Sequence, residues 1–256
     1  MRSSTFLMLS IAGSLFASDA PNDVSSAESK GAVKSRLEEV LQAWSKASAA
    51  IQQEHVIVHR TEIDRVRDEK VVADMEIWFR KPDLLRIDDK EVKNDRKQFF
   101  YTKGKEVHWY ANGEDRVIAL SPEFGYPENP SRYPDTFWAE EGGQILEQLS
   151  WIGCGLPVKD LKKDWDVRLT KEDDHWIYLE LKPRTQRYRN NVTYLQVVLG
   201  RKDMRVRRIF FQLKINNVTF DYEKPDTATP VTPESIVRGL PVGWKPAKID
   251  SFLTPP

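Results

Sequence analysis

The chain of 256 residues has one cysteine, Cys154, which excludes an internal disulfide and a cysteine metal cluster. It has no surplus of either charge: 39 Lys+Arg balance 39 Asp+Glu. Binding to a phosphate backbone draws on a basic surplus, so composition gives no support to a nucleic-acid partner. Gly-rich phosphate loops, HExxH and GxSxG are all missing, and with them the usual nucleotide, zinc-protease and serine-hydrolase signatures. The apolar run at 6–16 (FLMLSIAGSLF) falls short of the roughly 20 residues that a spanning helix needs. What is present is a globular composition, 40% apolar and 30% charged, in a chain long enough for one large or two small domains. Eight Trp, eight Tyr and eleven Phe supply the aromatics that strands favour.

Residues 1–20 read as an export signal. Arg2 is the positive start, 6–16 the apolar core, and Ser18-Asp19-Ala20 offers small residues for cleavage after Ala20, with cleavage after Ala17 as the rival. An uncleaved N-terminal anchor is the competing reading. No cysteine lies near the cleavage site, which excludes lipid modification there. An exported chain without disulfides fits the periplasm or cell envelope of a bacterium. The expected divisions are signal 1–20, polar linker 21–31, a single domain 32–245 and a Pro-containing tail 246–256.

Over 32–53, Val33, Leu37, Val40, Leu41, Trp44, Ala47 and Ile51 recur at spacings of three and four and predict one amphipathic helix. Residues 54–64 read as a strand, and 71–120 as a meander. There Met75, Ile77 and Phe79 alternate with Asp74, Glu76, Trp78 and Arg80, the period of a half-buried strand. Pro82-Asp83 breaks the run and Leu85 and Ile87 resume it. Lys103-Gly104 and Asn112-Gly113 read as hairpin turns, since Gly takes positive φ freely. Four prolines within 121–135 interrupt regular structure, and 135–151 and 157–165 read as helices. From Asp166 a second set of strands follows, in which Leu179, Val197, Ile209 and Phe211 fall on alternating apolar faces, with a short helix at 233–237. The expected fold class is α+β: an open, strongly curved antiparallel sheet, an unclosed β-barrel of about 10–11 strands, wrapped around helices.

Several stretches of this pattern resemble the LolA-like outer-membrane lipoprotein carrier family. EIWFRKPDLLRID is similar to that family's strand-turn-strand, in which an aromatic strand runs into a basic pair, a proline and an apolar strand. FFYTKGKEVHWYANGEDRVIAL is similar to its next block, the strands from YLEL through RRIFFQLKINNVTF to its second half, and GLPVGW to its closing segment. The resemblance implies an unclosed barrel whose inner face holds acyl chains or other lipids. It also implies that a basic residue before the proline holds a helical lid; Lys81, preceded by Arg80, stands there. Lysine cannot make the forked hydrogen bonds of arginine, so that lid mechanism does not carry over intact.

His55 and His59, with Glu54 beside them, share a strand face but show no third metal ligand. Cys154 with His108 or His175 has no nucleophile signature around it and reads as a small buried residue. Asp88-Asp89, Glu140-Glu141 and Asp173-Asp174 read as solvated acids on turns or polar faces. The run at 201–208 reads as a charged hairpin that either meets anionic headgroups or an acidic partner, or simply protects a sheet edge. The inward residues Met75, Ile77, Phe79, Leu85, Ile87, Val107, Trp109, Ile118, Leu179, Val197, Ile209 and Phe211 form either a lipid cavity or a filled core. Arg80, Lys81 and Arg86 are the candidates for its polar mouth. The expected function is non-catalytic binding or transport of a lipid, lipoprotein acyl chain or other hydrophobic ligand by a monomer without cofactor or metal. The alternatives are an envelope sensor or scaffold for a protein partner, and an enzyme, for which the sequence holds no constellation.

Overall fold

A computed structural model describes residues 24–103, 106–111, 114–120, 158–189, 192–240 and 245–246. Helix α1 (Val24–Ala50) leads into a meander of β1 (Gln53–Asp64), β2 (Glu69–Arg80), β3 (Leu84–Glu91), β4 (Lys97–Lys103), β5 (Glu106–Ala111) and β6 (Glu114–Leu120). A short α2 (Val158–Asp164) opens the second half: β7 (Trp165–Glu172), β8 (Trp176–Pro183), α3 (Gln186–Arg189), β9 (Val192–Gly200), β10 (Val206–Leu213) and β11 (Asn216–Tyr222). Then come α4 (Pro233–Val237) and β12 (Lys245–Pro246). The order across the sheet is β12-β6-β5-β4-β3-β2-β1-β11-β10-β9-β8-β7. Every pairing is antiparallel except that of β12 with β6. The fold is therefore α+β, with one open curved sheet whose edges are β7 and β12. The expected helix begins earlier than its periodicity showed, at Val24, within the stretch read as linker.

Alternation places the strands. In β2, Ala73, Met75, Ile77 and Phe79 are buried, and in β3 Leu85 and Ile87 continue that face. Val40 and Leu41 of α1, with Trp44 one helical turn on, join them in one cluster with Leu161 of α2 and with Ile177, Leu179, Leu181, Leu195, Val197, Leu199 and Ile209 from the other half. Residues from both meanders meet on one helix, so the sheet curves around α1. Several described turns rest on aspartate rather than glycine. The Asp64 carboxylate accepts from the amides of Val66 (2.8 Å) and Arg67 (3.0 Å). That of Asp173 accepts from His175 (3.0 Å) and Trp176 (2.8 Å). Such side chains close a turn by standing in for a backbone carbonyl. The predicted Gly104 and Gly113 turns lie outside the described residues, as do the predicted 135–151 helix, Glu140-Glu141 and Cys154.

The opposite, convex face is not simply polar. Phe99, Tyr101, Val231 and Ile236 make a second buried cluster, with Trp78, Leu84, Tyr110 and Leu240 packed against it. Residues 223–240 run across this face as a strap. Asp226 exchanges two 2.8 Å backbone hydrogen bonds with His55, and Thr232 caps α4 in a reciprocal bond with Ser235.

Leu41→Ala should lower stability by about 2–5 kcal/mol, the range for a buried leucine cut to alanine, read as a fall in the urea midpoint. A change within about 0.5 kcal/mol, typical of exposed sites, would mean that α1 is not docked on the sheet.

Candidate functional site

On the concave face the register lines apolar side chains into rows. Val56 pairs with Ile77, Ile77 with Ile87, Ile87 with Phe100 and Phe100 with Trp109, one row across β1 to β5. Phe100 and Trp109 stack at 5.9 Å with an interplanar angle of 3°. In the other half, Leu169 pairs with Leu179, Leu179 with Val197, Val197 with Ile209 and Ile209 with Phe220. Of the residues expected to face inward, Met75, Ile77, Phe79, Leu85, Ile87, Leu179, Val197, Ile209 and Phe211 belong to one cluster and Trp109 packs against it. The side chains of Val107 and Ile118 lie outside the described residues.

Helix α1 covers this face and is clasped by polar contacts. The Lys81 ammonium donates to the carbonyls of Ala49 (3.0 Å) and Ser48 (3.4 Å) at the C-terminal end of the helix, where the dipole favours a cation. Arg36 makes a forked contact with Glu172 of β7, at 2.6 and 3.1 Å, and Lys162 of α2 pairs with Glu38. Glu172 accordingly sits below the usual carboxylate range, first through the Arg36 hydrogen bond.

The other two residues expected at the mouth stand elsewhere. Arg80 and Arg86 alternate with Phe79, Leu85 and Ile87, and so project from the convex face. Arg86 is buried between Trp78 (5.1 Å) and Phe99 (5.6 Å) and binds Asp88 through two hydrogen bonds. It also donates to the carbonyls of Ile236 (3.3 Å), Ser235 (3.4 Å) and Arg238, holding the end of α4. A guanidinium stacked on aromatic faces and forked to a carboxylate is a structural clasp.

Of the acids read as solvated, Asp173 and Asp174 do lie at a turn open to water, but Asp88 and Asp89 are drawn into the fold. Asp88 holds Arg86, while Asp89 is 3% exposed on the concave face and takes Arg60 at 3.0 and 3.2 Å. Burial raises the carboxyl of Asp89, with Arg60 opposing. The basic hairpin is likewise committed internally: Arg205 to the buried Glu54, Arg207 to Asp203, Arg208 to Asp221, and Arg201 to Glu172 (3.4 Å). Glu54 and Arg205 border a small cavity of about 20 Å³ with Val56, Val206, Tyr222 and Pro225. Sequence reading missed Arg60 altogether, and missed that Glu54 and Arg205 pair. The signal for Arg60 and Glu54 was a charged residue in phase with Val56 and Val58, a position where burial demands a partner.

His55 and His59 share the convex face of β1. His55 bonds Glu76 (2.8 Å) and stacks on Trp78 at 4.9 Å. His59 lies between Asp74 (2.8 Å) and Glu223 (2.9 Å), the first residue of the strap. A neutral imidazole has one N–H and cannot donate to both carboxylates, so the cation is favoured and its pKa is raised.

No family model matches the chain, and no curated protein does. Solved structures give distant likenesses. An uncharacterised conserved protein from Thermus thermophilus shares 12% identity over 82% of this chain and 97% of its own, with a TM-score of 0.47. A LolA superfamily protein from Nitrosomonas europaea shares 11% identity over 78% and 96%, with a TM-score of 0.38. The lipoprotein LppX of Mycobacterium tuberculosis shares 11% over 76% and 98%, with a TM-score of 0.41. None of these likenesses says what this chain binds. No helix among the described residues is long and apolar enough to cross a membrane.

Two outcomes follow from the clasps. Arg86→Ala should release the strap, so limited proteolysis should cut 223–240 well before the sheet; cleavage at the wild-type rate would show that the aromatic cluster holds the strap without Arg86. The raised folded pKa of His59 makes its contribution to stability full below the unfolded value of about 6.5. That contribution is lost as pH rises through the folded value. The urea-midpoint gap between wild type and His59→Gln should therefore narrow from mildly acid to alkaline pH, and a gap independent of pH would refute the charge-based clasp.

Proposed function

We propose that this chain is a non-catalytic binding protein that takes the apolar part of a lipid or lipoprotein acyl chain on the concave face beneath α1, in the bacterial envelope. One observation carries the reading: apolar rows from both halves of the sheet join in one cluster, covered by a helix whose polar clasps are few and partly exposed. Exposed ion pairs of this kind are worth roughly 0–1 kcal/mol each. An acyl chain gains about 0.8 kcal/mol per buried CH₂, so a chain of ordinary length offers the sheet as much apolar contact as the helix does. Val40, Leu41 and Trp44 then occupy the place that a ligand would share or take over. Apolar contact is non-directional, which suits a carrier and leaves selectivity to polar groups.

A second reading has an observation of its own. Strand β7 ends the sheet, and Trp176, at the start of the neighbouring β8, is 37% exposed. A sheet edge beside an exposed tryptophan suits a protein partner that adds a strand.

Native mass spectrometry of the protein purified from its own envelope, followed by solvent extraction, should show a co-purifying lipid or lipopeptide. Phe79→Glu, which puts a charge on the concave face, should abolish it. If the wild-type mass is clean and the uncharged dye N-phenylnaphthylamine also fails to bind, the lipid reading is wrong and the protein-partner reading takes its place.

A further inference from the structure

The concave face is not apolar throughout. In β1, Val56 and Val58 are followed on the same face by Arg60 and Glu62. Arg60 is paired in the ladder with Phe220, the last member of the second apolar row, and on its other side with Ala73. Alanine has no side chain to fill the place above β2, so the guanidinium crosses that strand and reaches Asp89 on β3. Arg60 also donates to Glu62 at 3.2 Å, and the Asn216 amide of β11 donates to the other oxygen of the same carboxylate. Asp89 pairs in the ladder with Gln98 of β4, whose side-chain oxygen accepts from the Trp109 indole at 3.1 Å. A polar band thus crosses the concave face and abuts apolar rows on both sides.

Two features of this band point outward from the protein's own bonding. The Nε of Arg60 and the Oδ1 of Asn216 are buried and have no hydrogen-bond partner. The amide orientation is fixed, because a carboxylate can only accept, so the NH₂ must face Glu62 and the oxygen is left over. Buried polar atoms are almost always paired, and a donor and an acceptor left open on one carboxylate's neighbours are the complement of a hydroxyl. The charges decide the rest. One guanidinium faces two carboxylates, Asp89 and Glu62, and the nearby Glu91 and Arg96 pair with each other at 3.9 Å, so the band has one more carboxylate than guanidinium in a place of reduced dielectric.

We infer that the Arg60–Glu62–Asp89–Asn216 band is the headgroup site of the ligand, and that it selects an uncharged, hydroxyl-bearing headgroup over an anionic one. The inference rests on the lipid-binding reading above. The acyl chain lies along the apolar rows, a headgroup oxygen accepts from Arg60 Nε, and its O–H donates to Asn216 Oδ1. A phosphate placed there would meet the carboxylates of Glu62 and Asp89.

The test uses the full exported chain loaded with N-phenylnaphthylamine, displaced by a monoacylglycerol or by the lysophosphatidic acid of the same acyl chain, which differs by one phosphate. The monoacylglycerol should displace the dye at about a tenfold lower concentration or less, equivalent to about 1.4 kcal/mol. Asn216→Leu should weaken the monoacylglycerol by about tenfold while the dye binds as before. Glu62→Gln, which removes the excess negative charge, should improve the lysophosphatidic acid and shrink the preference. Equal displacement by the two lipids, or a preference that survives both substitutions in folded protein, overturns the headgroup site and leaves the lipid reading standing. Failure of the dye to bind wild-type protein overturns both.

Discussion

The ladder between β1 and β11, from Val58 with Tyr222 to Asp64 with Asn216, joins the two halves of the molecule. β1 pairs with β2 on its other side, so one strand carries the hydrogen bonds of the first meander and the second. These partners lie at opposite ends of the chain, and the loop-closure entropy of bringing them together is met once, at β1. Both apolar rows, the cover of α1 and the path of the strap take their position from that ladder. The helix is connected to β1 directly, and the strap begins where β11 ends, so both faces of the sheet are covered by segments anchored at the same strand.

Burial on both faces explains the distribution of charge. A half-barrel with one dry face would leave its outer residues in water, and its charges would be weakly coupled. Here Arg86 sits among Trp78, Phe99 and the carbonyls of α4, and Arg60 among Asp89, Glu62 and Ala73. Charges that leave water need partners, so Arg86 is forked to Asp88 and Arg60 is shared between Asp89 and Glu62. The exposed pairs, such as Arg168 with Asp166, are of a different kind and contribute little. The two sorts of arginine divide the work: one fixes the convex strap, the other leaves an open donor on the concave face.

The concave face therefore combines two properties that a ligand would feel separately. To such a ligand the apolar rows would offer affinity without direction, and the polar band direction with little affinity of its own. The band was built by the twist and stagger of the strands, which bring Arg60 into line with Phe220 on one side and within reach of Asp89 on the other. The clasps of α1 are at its ends, at Lys81 and at Arg36, so the apolar contacts of Val40, Leu41 and Trp44 lie between two polar anchors.

Much of the fold was legible in the sequence because a half-buried strand repeats every two residues and an amphipathic helix at spacings of three and four. Met75, Ile77 and Phe79 declare their face by alternation, and Val40, Leu41 and Trp44 declare theirs by periodicity. Alternation states which residues share a face, but not what covers it. Trp78 fell in phase with charged neighbours and Arg86 was expected at the mouth of the concave face; the strap buries both on the other face, and the Arg86 to Ile236 separation of 150 residues shows how far along the chain that cover comes. Arg60 and Asp89 are 29 residues apart and lie on strands that are not neighbours, so their meeting depends on register and on the small side chain of Ala73 between them. Local pattern thus determined the elements and their apolar faces. Long-range pairing, which no local period encodes, decided which charges were buried together and where the concave face stopped being apolar.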